Sequence, residues 1–468
     1  MRHSNAAEIH AALDHPVVDA DGHLLESVPL LAEYLREHAN ADCAERFVES
    51  AGFVTLPSDR AWQKGSEPLR EQQLPAAPWW GSPTDALDRA TAFAPGLLAE
   101  RQAELGFDFS VVYPTIGLML AGDQDDAMRI GGCRALNAYL ADLTAPYATH
   151  MTVPAMIPLH TPSEAIEGID HALDELGLRC IVLTGWVKRQ GPRGPYADLL
   201  ALDSDFDYDP LWQHCVDRGV AVTTHGGSIG FGFRQSPSAY MFNHIGHFAG
   251  CSEAFAKALV MGGVTLRFPT LRVAFLEGGV AWGAQLLIDL VARWDKRGGA
   301  NIRHLDPQRL DVERFGALLE EYGGKGFERA DIQKDAAFMN GGHPEQLDEF
   351  HRCGIVRRED LAERFVPSFF FGCEADDPLI SLAYDERALP STRPLKAMLG
   401  SDIGHWDVPD MSHVLVEAYE LVDDGVLDAA DFRSFSCDNT ILLHGGANPH
   451  FFEGTAVEGY AAELISRQ

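Results

Sequence analysis

Eight short, apolar, β-rich runs recur along this chain, with helical sequence between them. They are VVDAD (17–21), FSVVYPT (109–115), VPAMIPL (153–159), CIVLTG (180–185), VAVTTH (220–225), RVAFLEG (272–278), SFFFGCE (368–374) and KAMLGSD (396–402). Continuous apolar strands alternating with helices demand a parallel sheet that is covered on its outside. Eight such strands close into a (β/α)8 TIM barrel, and 468 residues leave room for insertions in it. The expected fold class is therefore α/β, with a single barrel domain spanning residues 1–468.

The connecting helices are legible by their 3.6-residue spacing of apolar positions. CRALNAYLADLTAPY (133–147), DPLWQHCVDRG (209–219) and SEAFAKALVMGGV (252–264) read as helices. PSEAIEGIDHALDELG (162–177) reads as another, with Ser163 as its expected cap and Gly177 as its end. Two stretches are too long to be simple connections: about 27–107, which contains PAAPWWGSP, and about 295–365, which carries AAFMNGGHPEQ. Insertions of this size usually serve as lids, specificity elements or subunit contacts. The Trp79–Trp80 pair is either packing within the first insertion or part of an apolar substrate wall.

Composition narrows the partners. A formal net charge of -32 argues against nucleic acid, whose phosphates require clustered Lys and Arg, and against anionic membranes. No apolar run is long enough for a membrane span, and the N-terminus lacks a signal-peptide core. A cytoplasmic protein is expected. The eight cysteines are scattered without a C-x-x-C pair, so they read as reduced, buried residues.

The strand ends carry the chemistry. The first ends in DADGH, the fifth in THGG, the sixth in LEGG and the eighth in GSDIGHWD. In a barrel these ends face one shared mouth. Carboxylates are rarely buried without a partner or a cation, so four converging polar clusters make a metal site the economical account. Asp21 and His23 stand two apart, on one side of an extended segment, and both reach one ion. Alone, such a pair is an ordinary capping Asp beside a surface His. Taken with His225, Glu277 and Asp402 it forms a candidate ligand set: Asp21, His23, His225, Glu277 and Asp402. Asp19 either sits on the other side of the strand or orients an imidazole, and Glu26 and His405 lie nearby. Two imidazoles with three carboxylates suit zinc, iron or manganese, as one divalent ion or two.

A second constellation, HGGSIGFGFRQSPSAYMFNHIGHFAG (225–250), follows the fifth strand and should overhang the mouth. Arg234, Tyr240 and Phe231 are its candidate substrate contacts. His244 and His247, three apart on a helix, share a face; they are either a proton shuttle or extra ligand, or satisfied packing groups.

These stretches resemble one known family. DADGHLLE, DPLWQHCVDRGVAVTTHGG, GGVTLRFPTLRVAFLEGGVAW and GSDIGHWD stand in the order seen in the amidohydrolase-related metal-dependent family that includes aminocarboxymuconate-semialdehyde decarboxylase. The resemblance covers most of residues 16–445 outside the two insertions. It implies that Asp21 and His23 are the first-strand ligand pair, often H-x-H in relatives. It further implies His225 as the fifth-strand ligand, and Asp402 as the eighth-strand ligand and general base. Glu277 stands where decarboxylase relatives carry a catalytic His. No carboxylated-lysine candidate is evident at the fourth strand, although Lys188 lies just beyond it.

Two enzyme classes follow. The first is a metal-dependent hydrolase or decarboxylase acting on a small carboxylated molecule, with Asp402, Glu277 and His244 as catalytic candidates. The alternative is a non-haem diiron monooxygenase on the same fold, hydroxylating a hydrophobic natural-product intermediate, as in a diverged branch of the superfamily. A barrel with a degraded, non-catalytic site is the remaining possibility. The expected partners are a small-molecule substrate and a second copy of the chain as a homodimer, as in many relatives.

Overall fold

The computed structural model describes residues 5–55, 70–71, 75–76, 84–325, 331–337 and 347–467. All eight expected strands are present. We number the barrel strands β1 (Val18–Leu24), β2 (Phe109–Pro114), β3 (Met151–Thr152 with Ala155–Met156), β4 (Ile181–Leu183), β5 (Val222–Thr224), β6 (Val273–Phe275), β7 (Phe369–Glu374) and β8 (Lys396–Gly400). Each pairs in parallel with the next. Pro154, which has no N–H to give to a ladder, splits β3 in two.

The sheet closes on itself. The Asp402 N–H donates to the Asp21 carbonyl and the His23 N–H to the Ile403 carbonyl, both at 2.9 Å. The fold is thus a (β/α)8 barrel, closed by the segments that carry the candidate ligands. β1 and β2 are buried along their whole length, as strands covered on both faces must be.

The helices start where side chains cap them. Asp125 accepts the Ala127 N–H and opens the helix Asp126–Thr144, ahead of the expected start. Thr161 rather than Ser163 caps Pro162–Asp170, because Pro162 takes the first helical position and leaves the next free N–H groups facing Thr161. One wide turn, His171–Glu175, carries that helix on towards Gly177. All eight cysteines are buried and free. No helix among the described residues is long and apolar enough to cross a membrane.

The first long stretch folds into the helices Val28–His38, Ala41–Thr55, Ala86–Phe93 and Pro95–Leu105. It braces the mouth. Leu25 N–H donates to the Ala92 carbonyl at 2.8 Å. Asp88, ion-paired to buried Arg101 at 2.7 Å, also accepts the Met411 N–H of the segment after β8 at 3.1 Å. Ala76 N–H reaches the Ser236 carbonyl in the loop after β5 at 2.8 Å. The second long stretch packs on the outer helices His247–Met261 and Ala281–Arg297, where Phe350 is buried. Trp79–Trp80 and most of AAFMNGGHPEQ lie outside the described residues.

Asp19 ties β1 to β8 beneath the mouth. Its carboxylate accepts the Asp21 N–H at 3.1 Å, the Ser401 N–H at 3.0 Å and the Ser401 hydroxyl at 2.7 Å. Burial pushes its pKa up to about 6 despite these donors. Asp19→Ala strands three buried donors, each costing about 1–3 kcal/mol. The variant is expected to lose at least about 3 kcal/mol in guanidinium unfolding. Asp19→Asn, which keeps one acceptor, should lose less. Equal stability of wild type and Asp19→Ala would refute the buttress.

Candidate metal centre

Each candidate ligand stands where a barrel strand runs out. On β1 the register slips between Asp19 and Gly22, a bulge that retunes the strand just before the mouth. Asp21 and His23 still face the same way, with Asp21 Oδ1 3.6 Å from His23 Nε2. Glu277 after β6 and Asp402 after β8 both adopt left-handed backbone, at φ 52 and 47. Such conformations cost about 1–3 kcal/mol each in non-glycine residues and cluster at functional sites. His225 follows β5, with its N–H bonded to the Leu183 carbonyl at 3.0 Å. After it the chain must pass close to β4: a Cβ on Gly226 would lie 1.9 Å from the Thr184 oxygen, so only glycine fits.

Neighbouring backbone sets the imidazole of His23. Its Nδ1 lies 3.2 Å from the Pro114 carbonyl, an acceptor, so Nδ1 carries the proton. Nε2 then presents a lone pair inward. That lone pair faces Glu277 Oε1 at 3.0 Å, His225 Nε2 at 3.2 Å, Asp402 Oδ1 at 3.5 Å and Asp21 Oδ1 at 3.6 Å. Glu277 Oε1 is also 3.1 Å from His225 Nε2 and 3.6 Å from His405 Nδ1. Asp402 Oδ1 and His405 Nδ1 are 2.6 Å apart.

The donor set fits a divalent cation. His23 is fully buried, and burial lowers its pKa, which disfavours a second proton as the charge that would reconcile these lone pairs. Buried Asp21 Oδ1 and Asp402 Oδ1 have no aligned hydrogen-bond donor. Ligands at about 2.0–2.2 Å from a common ion lie roughly 3.0–3.5 Å from one another, as most of these do. In two overlapping quartets every ligand atom lies within 4.8 Å of the others: Asp21, His23, His225 and Glu277, and His23, Glu277, Asp402 and His405.

The electrostatics agree. Burial holds Asp21 well above the ordinary carboxylate range, and Glu277 adds to the effect. Burial does the same to Asp402, with help from Glu277 and Asp407. Burial opposes charge on His225 too, but Glu277 and Asp21 overcome it and raise its pKa to about 9. For Glu277 burial is likewise overridden, by His225 and His23, and its carboxyl is held well below its usual range. Burial, reinforced by His23, holds His405 well below the ordinary imidazole range. Buried charges of this density are stable only when a cation or protons compensate them.

The surrounding residues fall into distinct places. Glu26 does not face the cluster; it accepts the N–H groups of Thr115, Ile116 and Gly117 at 2.9–3.1 Å and shapes the loop after β2. Thr115 in turn lies 3.1 Å from His405 Nε2. His405, absent from the initial ligand set, joins it because the turn after β8 brings residue i+3 back over Asp402. The sequence signal was the GSDIGHWD spacing.

A cavity of about 460 Å³ opens on His225 and His405, walled by Trp186, Leu118, Met119 and Phe248. His247 lines it, buried, with both ring nitrogens unpartnered, and burial lowers its pKa to about 3. His244 sits one ring further out, 4.9 Å from His247 and 5.5 Å from Trp406 between ring centroids. Tyr240 packs on His244 at 5.2 Å. Phe231 packs edge-on to Trp186 at 4.8 Å, behind the cavity wall. Arg234 donates to the Gly246 carbonyl at 2.7 Å and fastens its own loop. The structure thus brings the five proposed ligands together, whereas His244, Tyr240, Phe231 and Arg234 are not among the residues lining the cavity.

Residues 18–325 match the Amidohydrolase family. The chain belongs to that family. Solved structures share the fold across nearly all of both chains. An amidohydrolase from Mycobacterium avium subsp. paratuberculosis is 15% identical, with TM-score 0.54 over 93% of this chain and 99% of its own. A 2,6-dihydroxybenzoate decarboxylase complexed with 2,6-dihydroxybenzoate is 14% identical, with TM-score 0.51 over 92% and 98%. A dihydroxybenzoic acid decarboxylase from Polaromonas, with bound manganese and 2-nitroresorcinol, is 14% identical, with TM-score 0.50 over 92% and 97%. No curated protein matches the chain in sequence.

Metal content tests the centre directly. His225→Ala is expected to lose bound manganese, measured by mass spectrometry of the dialysed protein, while keeping its circular dichroism. Glu277→Gln keeps the shape and removes one charge, so its manganese content should also fall. Manganese at a hundredfold excess over its dissociation constant should stabilise wild type by about 2.7 kcal/mol and His225→Ala not at all. Full metal retention in both variants would sink the assignment.

Proposed function

We propose that this chain is a metal-dependent decarboxylase of a small carboxylated aromatic molecule. The observation that carries the reading is the meeting of His23 Nε2, His225 Nε2 and three carboxylates, two with unpartnered oxygens, at the floor of an aromatic-walled cavity. The two decarboxylase structures support it, since both act on aromatic acids and one holds manganese. Asp21, His23, His225, Glu277 and Asp402 would hold the ion, with His405 completing the shell. A first-row divalent cation there would supply Lewis-acid stabilisation of charge developing on the substrate.

The chain's own residues do the rest. Trp186 and Phe248 sandwich an apolar ring and keep water from it. Trp186 is held in place by its indole N–H, which donates to the Gly227 carbonyl at 3.2 Å. Asp402, whose carboxyl is held by burial well above the ordinary carboxylate range, is the group placed to bring a proton to the cavity floor. In decarboxylation the bond from ring carbon to carboxylate breaks and the electron pair stays on carbon. Carbon dioxide leaves, and a proton delivered by Asp402 forms the new C–H bond. The family resemblance sets Glu277 against a catalytic His of decarboxylase relatives, which in this reading leaves Asp402, on the β8 side, as the proton donor.

None of the comparisons lends support to the oxygenase alternative. Manganese-loaded enzyme incubated with hydroxybenzoates is expected to release one carbon dioxide per product, followed by mass spectrometry. Asp402→Asn should slow turnover by about 10²–10⁴-fold. Oxygen consumption without carbon dioxide release would replace this reading with the oxygenase. Incorporation of oxygen from labelled water would replace it with hydrolysis.

A further inference from the structure

The cavity wall differs from the rest of the molecule in charge. The chain has 69 acidic residues against 37 basic ones, yet no Asp or Glu is among the described residues lining the cavity above the metal cluster. Its charged or chargeable lining consists of four imidazoles and one ammonium, Lys188. Lys188 stands on the hairpin Val187–Gly191 and Gly194–Asp198, which grows from the end of β4. Val187 is buried and anchors the hairpin. Arg189, the next cation, is fully engaged: it bonds Asp198 and the Tyr208 hydroxyl, each at 3.0 Å. Lys188 forms no ion pair among the described residues and is exposed at the rim.

A protein this acidic repels an anionic substrate over most of its surface. Among the described residues the cavity lining carries no acid and one exposed ammonium, a local sign opposite to that of the surface. We propose that Lys188 is a specificity-determining residue that pairs with an anionic group on the outer end of the substrate, so that the preferred substrate is an aromatic acid carrying a second anionic substituent. The inner carboxylate would face the cluster, the ring would lie between Trp186 and Phe248, and the outer anion would meet Lys188. The hydrogen-bonding capacity left on the wall suits such a ligand. Both ring nitrogens of His247 have no hydrogen-bond partner among the described residues. This inference rests on the aromatic-acid reading above.

The probes are benzoate and isophthalate, which differ by one outer carboxylate, titrated calorimetrically into manganese-loaded protein. Wild type is expected to bind isophthalate about fivefold tighter than benzoate, the upper range of an exposed ion pair. Lys188→Gln should erase that preference, Lys188→Arg should keep most of it, and Lys188→Glu should reverse it. Manganese content should stay unchanged in all three variants, and benzoate affinity should stay close to that of wild type in Lys188→Gln and Lys188→Arg. The preference should also weaken as salt rises. Equal binding of both probes by wild type, or a preference that survives Lys188→Gln, would overturn the role of Lys188 and leave the aromatic-acid reading intact. Failure of wild type to bind either probe would overturn the aromatic-acid reading, and this assignment with it.

Discussion

His23 Nε2 and Glu277 Oε1 face each other at 3.0 Å, lone pair to lone pair, with His23 fully buried and Glu277 nearly so. With Nδ1 committed to the Pro114 carbonyl, the imidazole has no proton to place between them. His225, Asp21 and Asp402 crowd the same point. Neutral protein packing gives no reason for such an arrangement, because each group alone would sit more comfortably in water. A cation at their meeting point converts the repulsion into coordination. The geometry of four strand ends is subordinate to that point.

The scaffold bears the cost of holding these groups. Glu277 and Asp402 keep left-handed backbone that most residues avoid. Other groups over-determine their positions. Asp19 clamps β1 to β8 through Ser401, Glu26 gathers three N–H groups of the loop after β2, and the barrel closes through Asp21 and Asp402 themselves. The carboxylates of DADGHLLE therefore divide their work. Asp21 faces the centre, while Asp19 and Glu26 fix the frame around it.

Above the cluster the chemistry changes sign. The floor is dense in carboxylate and the wall is imidazole, aromatic ring and one ammonium. A cation at the floor would complete a gradient that draws an anion inward past apolar walls. The first long stretch of chain braces this mouth through Ala92, Asp88 and Ala76, whereas the second covers the outside of the barrel.

The sequence by itself determined the barrel and most of the centre. Each buried parallel strand must be continuously apolar, so all eight are visible as runs, and each polar cluster is conspicuous because it interrupts such a run. Asp21, His23, His225, Glu277 and Asp402 could be picked out for that reason, and barrel topology alone brought them to one mouth. Only the tertiary structure decided which oxygens converge. Asp19 and Asp21 share a face by alternation, but the bulge before Gly22 and the neighbouring Ser401 send one carboxylate to the frame and leave the other to the centre. It also decided that Arg234 fastens a loop, that His405 turns back over Asp402, and that Lys188 stands at the rim. These last placements depend on loop paths, which are set by contacts between residues far apart in sequence and leave no periodic trace along the chain.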